Sequence, residues 1–224
     1  MPKRLVFIHT IPSIVDLFAR LSAEILPPGT EAWHVADEIL LKVVLGQGGL
    51  SPFIHARVGE HVVSAESAGA TAVQLTCSSI SPCADTAREL VGIPVLKVDE
   101  PMVDRALEIG DHIGVAATAP TTLRPTSELI ETRAGAFGRT VQVEARLAEG
   151  AYAALFGGDP ASHDAIVRET LQDLAMRCDV ILLAQASMAR VVDSLPAGAL
   201  LCPVLTSPRL AVERAARVLA EAGD

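Results

Sequence analysis

The stretches GATAVQLTCSS, residues 69–79, and RCDVILLAQAS, residues 177–187, repeat one pattern. Each follows a helical segment with a short polar turn, continues as an apolar strand and ends in small polar side chains. A second strand follows each stretch, IPVLKVD in the first case and ALLCPVL in the second. The repetition predicts two similar lobes of α/β type, related to each other by a pseudo-twofold axis.

Short apolar runs alternate with longer amphipathic segments along the whole chain, as in βαβ units around a parallel sheet. Several runs are apolar at every position, which is typical of strands covered by helices on both faces. Strands are expected at residues 4–10, 32–40, 72–78, 94–99, 112–118, 140–147, 179–187 and 199–206. Helices are expected at residues 13–26, 53–68, 83–91, 102–109, 124–136, 164–177 and 209–223.

These segments predict an α/β fold with a parallel sheet of about four strands in each lobe. The first lobe is expected to contain residues 1–97 plus 208–224, and the second residues 98–207. Ligands of open α/β sheets bind beyond the carboxyl ends of the strands. We therefore expect the active site in the cleft between the lobes.

The charge of the chain restricts its partners. Acidic residues outnumber basic ones, 27 to 18, and the lysines and arginines form no run. Nucleic-acid binding is not expected, because such proteins usually carry a basic patch. No apolar window is long enough to span a membrane, so we predict a cytoplasmic protein without membrane contact.

The sequence offers no pattern for a metal or a nucleotide. The four cysteines, at positions 77, 83, 178 and 202, include no CxxC pair, and the six histidines show no metal-ligand spacing. We expect free thiols, no metal and no cofactor. LGQGGLSPF, residues 45–53, matches neither GxGxxG nor a P-loop, and is expected to be a mobile loop over the cleft.

Cys77 is the main candidate for chemistry because it stands at a strand end, followed by the hydroxyls of Ser78 and Ser79. A helix beginning soon afterwards would lower the pKa of the thiol and favour the reactive thiolate. Cysteine is also among the most buried residue types, so a packing role stays open. His9, at the end of the first strand, is either a second acid/base or a hydrogen-bonded core histidine.

Four segments together resemble the aspartate/glutamate/hydantoin racemase superfamily over essentially the whole chain. They are GATAVQLTCSS, DVILLAQAS, HIGVAATAPTT and AEGAYAALFGGDPASHDAIV. The resemblance implies two α/β lobes, no cofactor and a homo-oligomer, a dimer or larger. It also implies one cysteine in each lobe, the two thiols acting on opposite sides of the substrate's α-carbon.

Site residues follow from this resemblance position by position. Cys77 matches the cysteine of the first lobe, and Gln185 stands where the second cysteine is expected. The residues that match substrate-binding positions are Thr10, Ser78, Ser79, Thr118, Thr121, Thr122, Ala186 and Ser187.

The glutamine changes the expected reaction, because an amide has no pKa suited to proton transfer. We expect single-cysteine chemistry at the carbon next to the carboxylate of a small mono- or dicarboxylic acid. Decarboxylase or isomerase chemistry comes first, since the superfamily includes arylmalonate decarboxylase and maleate isomerase relatives. A two-base amino-acid or hydantoin racemase and a non-catalytic carboxylate-binding protein are the alternatives.

Overall fold

Eight strands and ten α-helices form the part of the protein that this computed structural model describes, residues 2–185, 188–196 and 198–222. In chain order they are β1 (Arg4–His9), α1 (Val15–Ile25), β2 (Glu31–Ala36), α2 (Glu38–Gln47), α3 (Pro52–Ser67), β3 (Ala72–Leu75), α4 (Cys83–Ala87), β4 (Val95–Lys97), α5 (Glu100–Ile109), β5 (His112–Ala117), α6 (Pro120–Ala136), β6 (Gln142–Leu147), α7 (Ala151–Phe156), α8 (Pro160–Ala175), β7 (Val180–Leu183), α9 (Ala189–Asp193), β8 (Val204–Thr206) and α10 (Ser207–Glu221). A 3₁₀ turn, Pro12–Ile14, precedes α1.

The chain divides into two compact units. Unit 1 contains Met1–Val98 and Pro208–Asp224, and unit 2 contains Asp99–Ser207. Each unit has one four-stranded sheet, ordered β2-β1-β3-β4 in unit 1 and β6-β5-β7-β8 in unit 2, with every pairing parallel. The predicted α/β class and the two four-stranded parallel sheets are therefore confirmed.

Strand β1 explains why unit 1 needs helices on both faces of its sheet. Successive side chains of a strand point to opposite faces. Leu5 and Phe7 pack with α1 and α10, whereas Val6 and Ile8 pack with α2, α3 and α4. Burying each such side chain contributes roughly 1.5–3 kcal/mol, so a continuous apolar strand is stable only where both faces are covered.

The segment after β2 differs from its expectation. The predicted strand 32–40 ends at Ala36, and Asp37 begins α2 by accepting a hydrogen bond from the backbone N–H of Ile39. Helix α2 ends at Gly48, whose φ of 72° is a left-handed conformation that favours glycine. In the glycine-rich run 45–53, residues 45–47 end α2, residues 48–51 connect the helices and residues 52–53 begin α3. The loop expected there is therefore shorter than predicted, and its mobility stays a prediction.

Unit 2 repeats this architecture with its own core. Helix α8 covers one face of the sheet, packing Val167, Leu171 and Leu174 against Ile181 and Leu183 of β7. Helices α5 and α6 also contact the sheet. No helix among the described residues combines the length and the apolar character that crossing a membrane requires.

Candidate active site

Cys77 and Gln185 occupy the same position in the two sheets. In unit 1, β1 and β3 are paired up to Ile8 and Leu75, and Thr10 and Cys77 each lie two residues further on. In unit 2, β5 and β7 are paired up to Ala116 and Leu183, and Thr118 and Gln185 again lie two residues further on. Thr10 therefore corresponds to Thr118, and Cys77 to Gln185.

The hydrogen bonds beyond the strands follow the same equivalence. The Thr76 N–H donates to Ile8 O in unit 1, and the Ala184 N–H donates to Ala116 O in unit 2. A turn then follows in each unit. It is closed by a hydrogen bond from Ile80 N–H to Cys77 O in unit 1 and from Met188 N–H to Gln185 O in unit 2. In both units the point between the first and third strands is where the strand order reverses, the usual ligand position of such sheets.

Cys77 is half-buried and surrounded by hydrogen-bond donors. The backbone N–H and hydroxyl of Ser79, the backbone N–H of Ile80 and the hydroxyl of Thr10 all interact with its sulfur. Thr10 is 1 % exposed, and its hydroxyl makes no hydrogen bond of regular geometry among the described residues. The sequence-predicted residues Thr10, Cys77 and Ser79 thus form one cluster.

The electrostatic setting of Cys77 differs from its expectation. Burial raises the pKa of the thiol above its ordinary value, and the hydrogen bonds from Thr10, Ser79 and Ile80 offset only part of this effect. The predicted lowering was wrong because desolvation penalises the charged thiolate more than these donors stabilise it. The helix expected to help is also short, since α4 spans only Cys83–Ala87. At neutral pH, Cys77 is therefore a thiol.

Gln185 is held by Thr118. The backbone N–H and the hydroxyl of Thr118 both donate to Gln185 Oε1, at 2.6 Å and 2.9 Å. With the amide oxygen fixed in this way, the two hydrogens on Nε2 are the groups that remain for a ligand. The threonine at the end of the first strand thus contacts the residue at the end of the third strand in both units.

The other expected binding residues lie nearby along the chain. Ser78 is buried in the turn after Cys77, and its carbonyl accepts from the Ser81 N–H. Thr121 and Thr122 lie in the first turn of α6, where the Thr122 hydroxyl donates to Ala119 O at 2.9 Å. The predicted residues Ala186 and Ser187 lie outside the described residues.

His9 is completely buried, and both of its ring nitrogens are hydrogen-bonded. The Thr76 hydroxyl donates to Ile8 O, so it accepts from His9 Nδ1–H at 2.9 Å. His9 Nε2 therefore accepts from His34 Nδ1–H, also at 2.9 Å. Burial, and then the nearby His34, lower the pKa of His9 from 6.5 to about 4. This geometry is that of the core histidine, the alternative to an acid/base role.

The sequence interpretation missed Thr76 and His34, which complete this network. His34 stacks on Phe7 and His9, with ring centroids 5.2 Å apart in each pair. Alternation along β2 could have placed His34 on one face of the sheet, but nothing in the sequence indicated its partner on the neighbouring strand.

Several solved structures with the same fold are described as racemases. Allantoin racemase from Klebsiella pneumoniae superposes with a TM-score of 0.69 at 19 % identity, covering 98 % of this chain and 88 % of that one. Glutamate racemase from Bacillus anthracis gives a TM-score of 0.73 at 14 % identity, with 99 % and 83 % covered. Glutamate racemase from Francisella tularensis, solved with D-glutamate, gives 0.74 at 14 % identity, with 98 % and 81 % covered.

At these identities the structural likeness establishes the fold alone. A comparison of the sequence with curated proteins gave no match. The sequence model of the family described as "Asp/Glu/Hydantoin racemase" matches residues 51–215, which include both Cys77 and Gln185. Because this match spans most of the chain, the protein belongs to the Asp/Glu/hydantoin racemase family.

Proposed function

We propose that the protein is a cofactor-independent enzyme that decarboxylates a small malonate-type acid, with Cys77 as the single proton donor. The observation that carries the proposal is the equivalence of Cys77 and Gln185 at the ends of β3 and β7. A two-base racemase needs a titratable group at each position. Here one position holds an amide, which cannot exchange a proton at neutral pH.

The protonation state of Cys77 favours this reaction. Removing a proton from an α-carbon requires a thiolate, whereas completing a decarboxylation requires an acid. A raised pKa keeps the Cys77 proton in place at neutral pH. Cys77 is therefore a neutral thiol at this pH, so it can deliver a proton but cannot remove one.

The proposed step balances without a metal or an organic cofactor. The bond from the α-carbon to the departing carboxylate breaks, and its electron pair passes into the remaining carboxyl group as an enediolate. Carbon dioxide leaves, the Cys77 thiol gives its proton to the α-carbon, and solvent restores that proton. The donors around Cys77, from Thr10, Ser79 and Ile80, stabilise the thiolate formed in this step. Preorganised donors of this kind contribute several kcal/mol to catalysis.

A two-base racemase is the second candidate, and the family match favours it. In that case a group other than Gln185 would serve as the second acid/base. His9 is a poor substitute, because both ring nitrogens are hydrogen-bonded within unit 1 and its pKa is about 4.

The experiment offers the purified protein two sets of substrates in deuterated water. One set contains malonates with a single small substituent, and the other contains both enantiomers of glutamate and aspartate together with substituted hydantoins. Carbon dioxide release and incorporation of one deuterium at the α-carbon support the proposal. We expect Cys77→Ala to lower kcat by roughly 10²–10⁴-fold, the usual contribution of general acid catalysis.

Cys83→Ala is the matched control, because Cys83 is a fully buried thiol in the core of unit 1. It should retain turnover. Racemisation by the wild type would replace the proposal with the second candidate. Ligand-induced thermal stabilisation without turnover of either set would identify a binding protein. Activity of Cys77→Ala close to the wild-type value would remove Cys77 from the mechanism.

Gln185→Cys tests the role of the second position directly. The family resemblance implies a cysteine at position 185, so this variant restores the two-cysteine pattern. We expect it to gain exchange of the α-hydrogen on products that the wild type leaves unexchanged. Gln185→Ser is the control, because it removes the amide but adds a hydroxyl that does not ionise near neutral pH. This variant should show no exchange of the α-hydrogen.

A further inference from the structure

Three potential metal ligands meet at the amino-terminal end of the unit 2 sheet. His112 begins β5, Glu144 lies in β6, and Cys178 precedes β7. One ligand atom from each, the imidazole nitrogen, the carboxylate oxygen and the sulfur, lies within 4.8 Å of the other two. Within the part of the chain that the structure describes, this is the one group of three potential metal ligands that lie so close together.

Gly114 makes the convergence sterically feasible. It pairs with Glu144 on one side and with Ile181 on the other, and it lies two residues after His112, so all four positions share one face of the sheet. Glycine leaves that face uncovered. A Cβ at Gly114 would lie 3.1 Å from Cys178 Sγ, which shows that the sulfur occupies the space that a side chain would need.

The ligand atoms that face each other are not used by hydrogen bonds. Glu144 Oε1 binds Arg146 at 2.7 Å and Arg177 at 3.2 Å, whereas Glu144 Oε2 faces His112 Nε2 at 3.8 Å. That separation is too long for a hydrogen bond. His112 Nε2 is also buried without a hydrogen-bond partner among the described residues, which is costly for an imidazole nitrogen.

We propose that His112, Glu144 and Cys178 bind a divalent metal ion, with zinc as the expected occupant. A tetrahedral zinc ion with bonds of about 2.0–2.3 Å keeps its ligand atoms roughly 3.3–3.8 Å apart. The 3.8 Å between Glu144 Oε2 and His112 Nε2 is slightly longer than the roughly 3.3–3.6 Å that a nitrogen–oxygen pair takes on such an ion, so binding would draw the two side chains together. Nitrogen, oxygen and sulfur donors together suit zinc and cobalt(II), and disfavour magnesium and calcium.

Binding converts the Cys178 thiol to a thiolate, and its proton passes to solvent. A water molecule takes the fourth position, as in other three-ligand zinc sites. The ion then joins the starts of β5, β6 and β7, three strands that come from distant parts of the sequence.

This site lies apart from the Thr118–Gln185 pair. His112 and Thr118 lie at opposite ends of β5, so the cluster is about 20 Å from the Thr118–Gln185 pair at roughly 3.3 Å per residue. No sequence motif indicates this site, because its ligands are separated by long intervals along the chain. No metal was expected from the sequence, whereas the proposed site binds one.

The test is a titration of chelator-treated protein with cobalt(II), followed by competition with zinc. We expect one equivalent per chain and the ultraviolet charge-transfer absorption of a cobalt–thiolate bond. Cys178→Ala should abolish that absorption and weaken zinc binding roughly 100-fold or more, and Glu144→Gln should weaken it at least about tenfold. Cys83→Ala, which removes a buried thiol of unit 1, should bind like the wild type.

Thermal unfolding of the wild type gives a second readout. Zinc should raise the Tm of the wild type and of Cys83→Ala, but not that of Cys178→Ala, because only a folded site gains from the ligand. No bound equivalent in the wild type, or cobalt spectra that are identical in the wild type and Cys178→Ala, would overturn the proposal. Neither result depends on whether the enzyme decarboxylates its substrate.

Discussion

Thr118 donates both its backbone N–H and its hydroxyl to the same atom, Gln185 Oε1, at 2.6 Å and 2.9 Å. Two donors on one oxygen fix the orientation of the amide and leave Nε2 as its outward group. In unit 1 the equivalent residue, Thr10, lowers the pKa of Cys77 through its hydroxyl, against the larger effect of burial. Equivalent threonines therefore lie beside the proton donor, Cys77, in unit 1 and beside the amide of Gln185 in unit 2.

Thr118→Val should reduce activity while the protein stays folded. The substitution keeps the side-chain shape and the backbone donor but removes the bond from Oγ1 to Gln185. The loss of one hydrogen bond corresponds to about 1 kcal/mol, or roughly fivefold in kcat/KM. Steady-state kinetics on the substrate identified above, with Tm measured in parallel, checks this expectation.

Thr126→Val is the control for that change. Thr126 is fully buried in α6, and its hydroxyl has no hydrogen-bond partner among the described residues. Replacing the hydroxyl by a methyl group should leave kcat/KM unchanged and keep or raise the Tm. Equal loss of activity in both variants would show that the effect of Thr118→Val comes from the packing of unit 2.

The equivalence of Cys77 and Gln185 was predictable from the sequence, because the family resemblance aligned both strand-ending motifs with the cysteine positions of the two lobes. The protonation state of Cys77 was not. It depends on how much burial raises the pKa against the donors of Thr10, Ser79 and Ile80. Those contacts join the ends of two strands, and local sequence carries no measure of their distances.

Alkylation of Cys77 provides a direct test of its pKa. Because burial raises that pKa, the rate of modification by iodoacetamide should stay low at pH 7 and rise only well into the alkaline range. Thr10→Val removes a donor that favours the thiolate, so it should shift the rate profile to higher pH. Peptide mapping by mass spectrometry separates Cys77 from the other three cysteines. A fast reaction at pH 7 would restore the thiolate that the sequence predicted.

Helix α2 is an element that the sequence analysis did not predict. AWHVADEIL is apolar enough to continue as a strand, but Asp37 satisfies the first backbone N–H groups of a helix and also accepts hydrogen bonds from Arg57 and His61. The last two contacts come from α3, which follows in the sequence. A tertiary network therefore decided between strand and helix, and local propensity is overridden by such contacts.

Asp37→Asn should destabilise unit 1 at neutral pH. Asn keeps the N-cap but loses the charge that binds Arg57 at 2.7 Å and His61 at 2.8 Å. We expect a loss of about 1–2 kcal/mol. Urea unfolding followed by the fluorescence of Trp33, the single tryptophan, reports on this unit. Glu38→Gln, which removes an exposed ion pair with Lys42 on the same helix, should cost at most about 0.5 kcal/mol.

The effect of Asp37→Asn should also depend on pH. Burial alone would raise the pKa of the Asp37 carboxyl, but the bonds from His61, Arg57 and the Ile39 amide outweigh it and lower the pKa. A lowered pKa stabilises the fold above the unfolded value of about 3.9, and this contribution disappears as the pH falls through the folded value. The difference between wild type and Asp37→Asn should therefore be constant near neutrality and shrink in acid. A difference that grows on acidification would contradict it.

His9 should make unit 1 less stable in mild acid, in a higher pH window than Asp37. Its pKa falls from 6.5 to about 4 through burial and the proximity of His34. Between these two values the unfolded chain binds a proton that the folded chain does not, so stability is complete above about 6.5 and declines as the pH falls to about 4. The loss through this group is on the order of 3 kcal/mol, at 1.36 kcal/mol for each pH unit. Urea unfolding of the wild type, followed by Trp33 fluorescence, should show this slope, and His9→Phe should flatten it by removing the proton-binding ring. Parallel slopes in the two proteins would mean that His9 is protonated in the folded state, which its bonds to Thr76 and His34 do not accommodate.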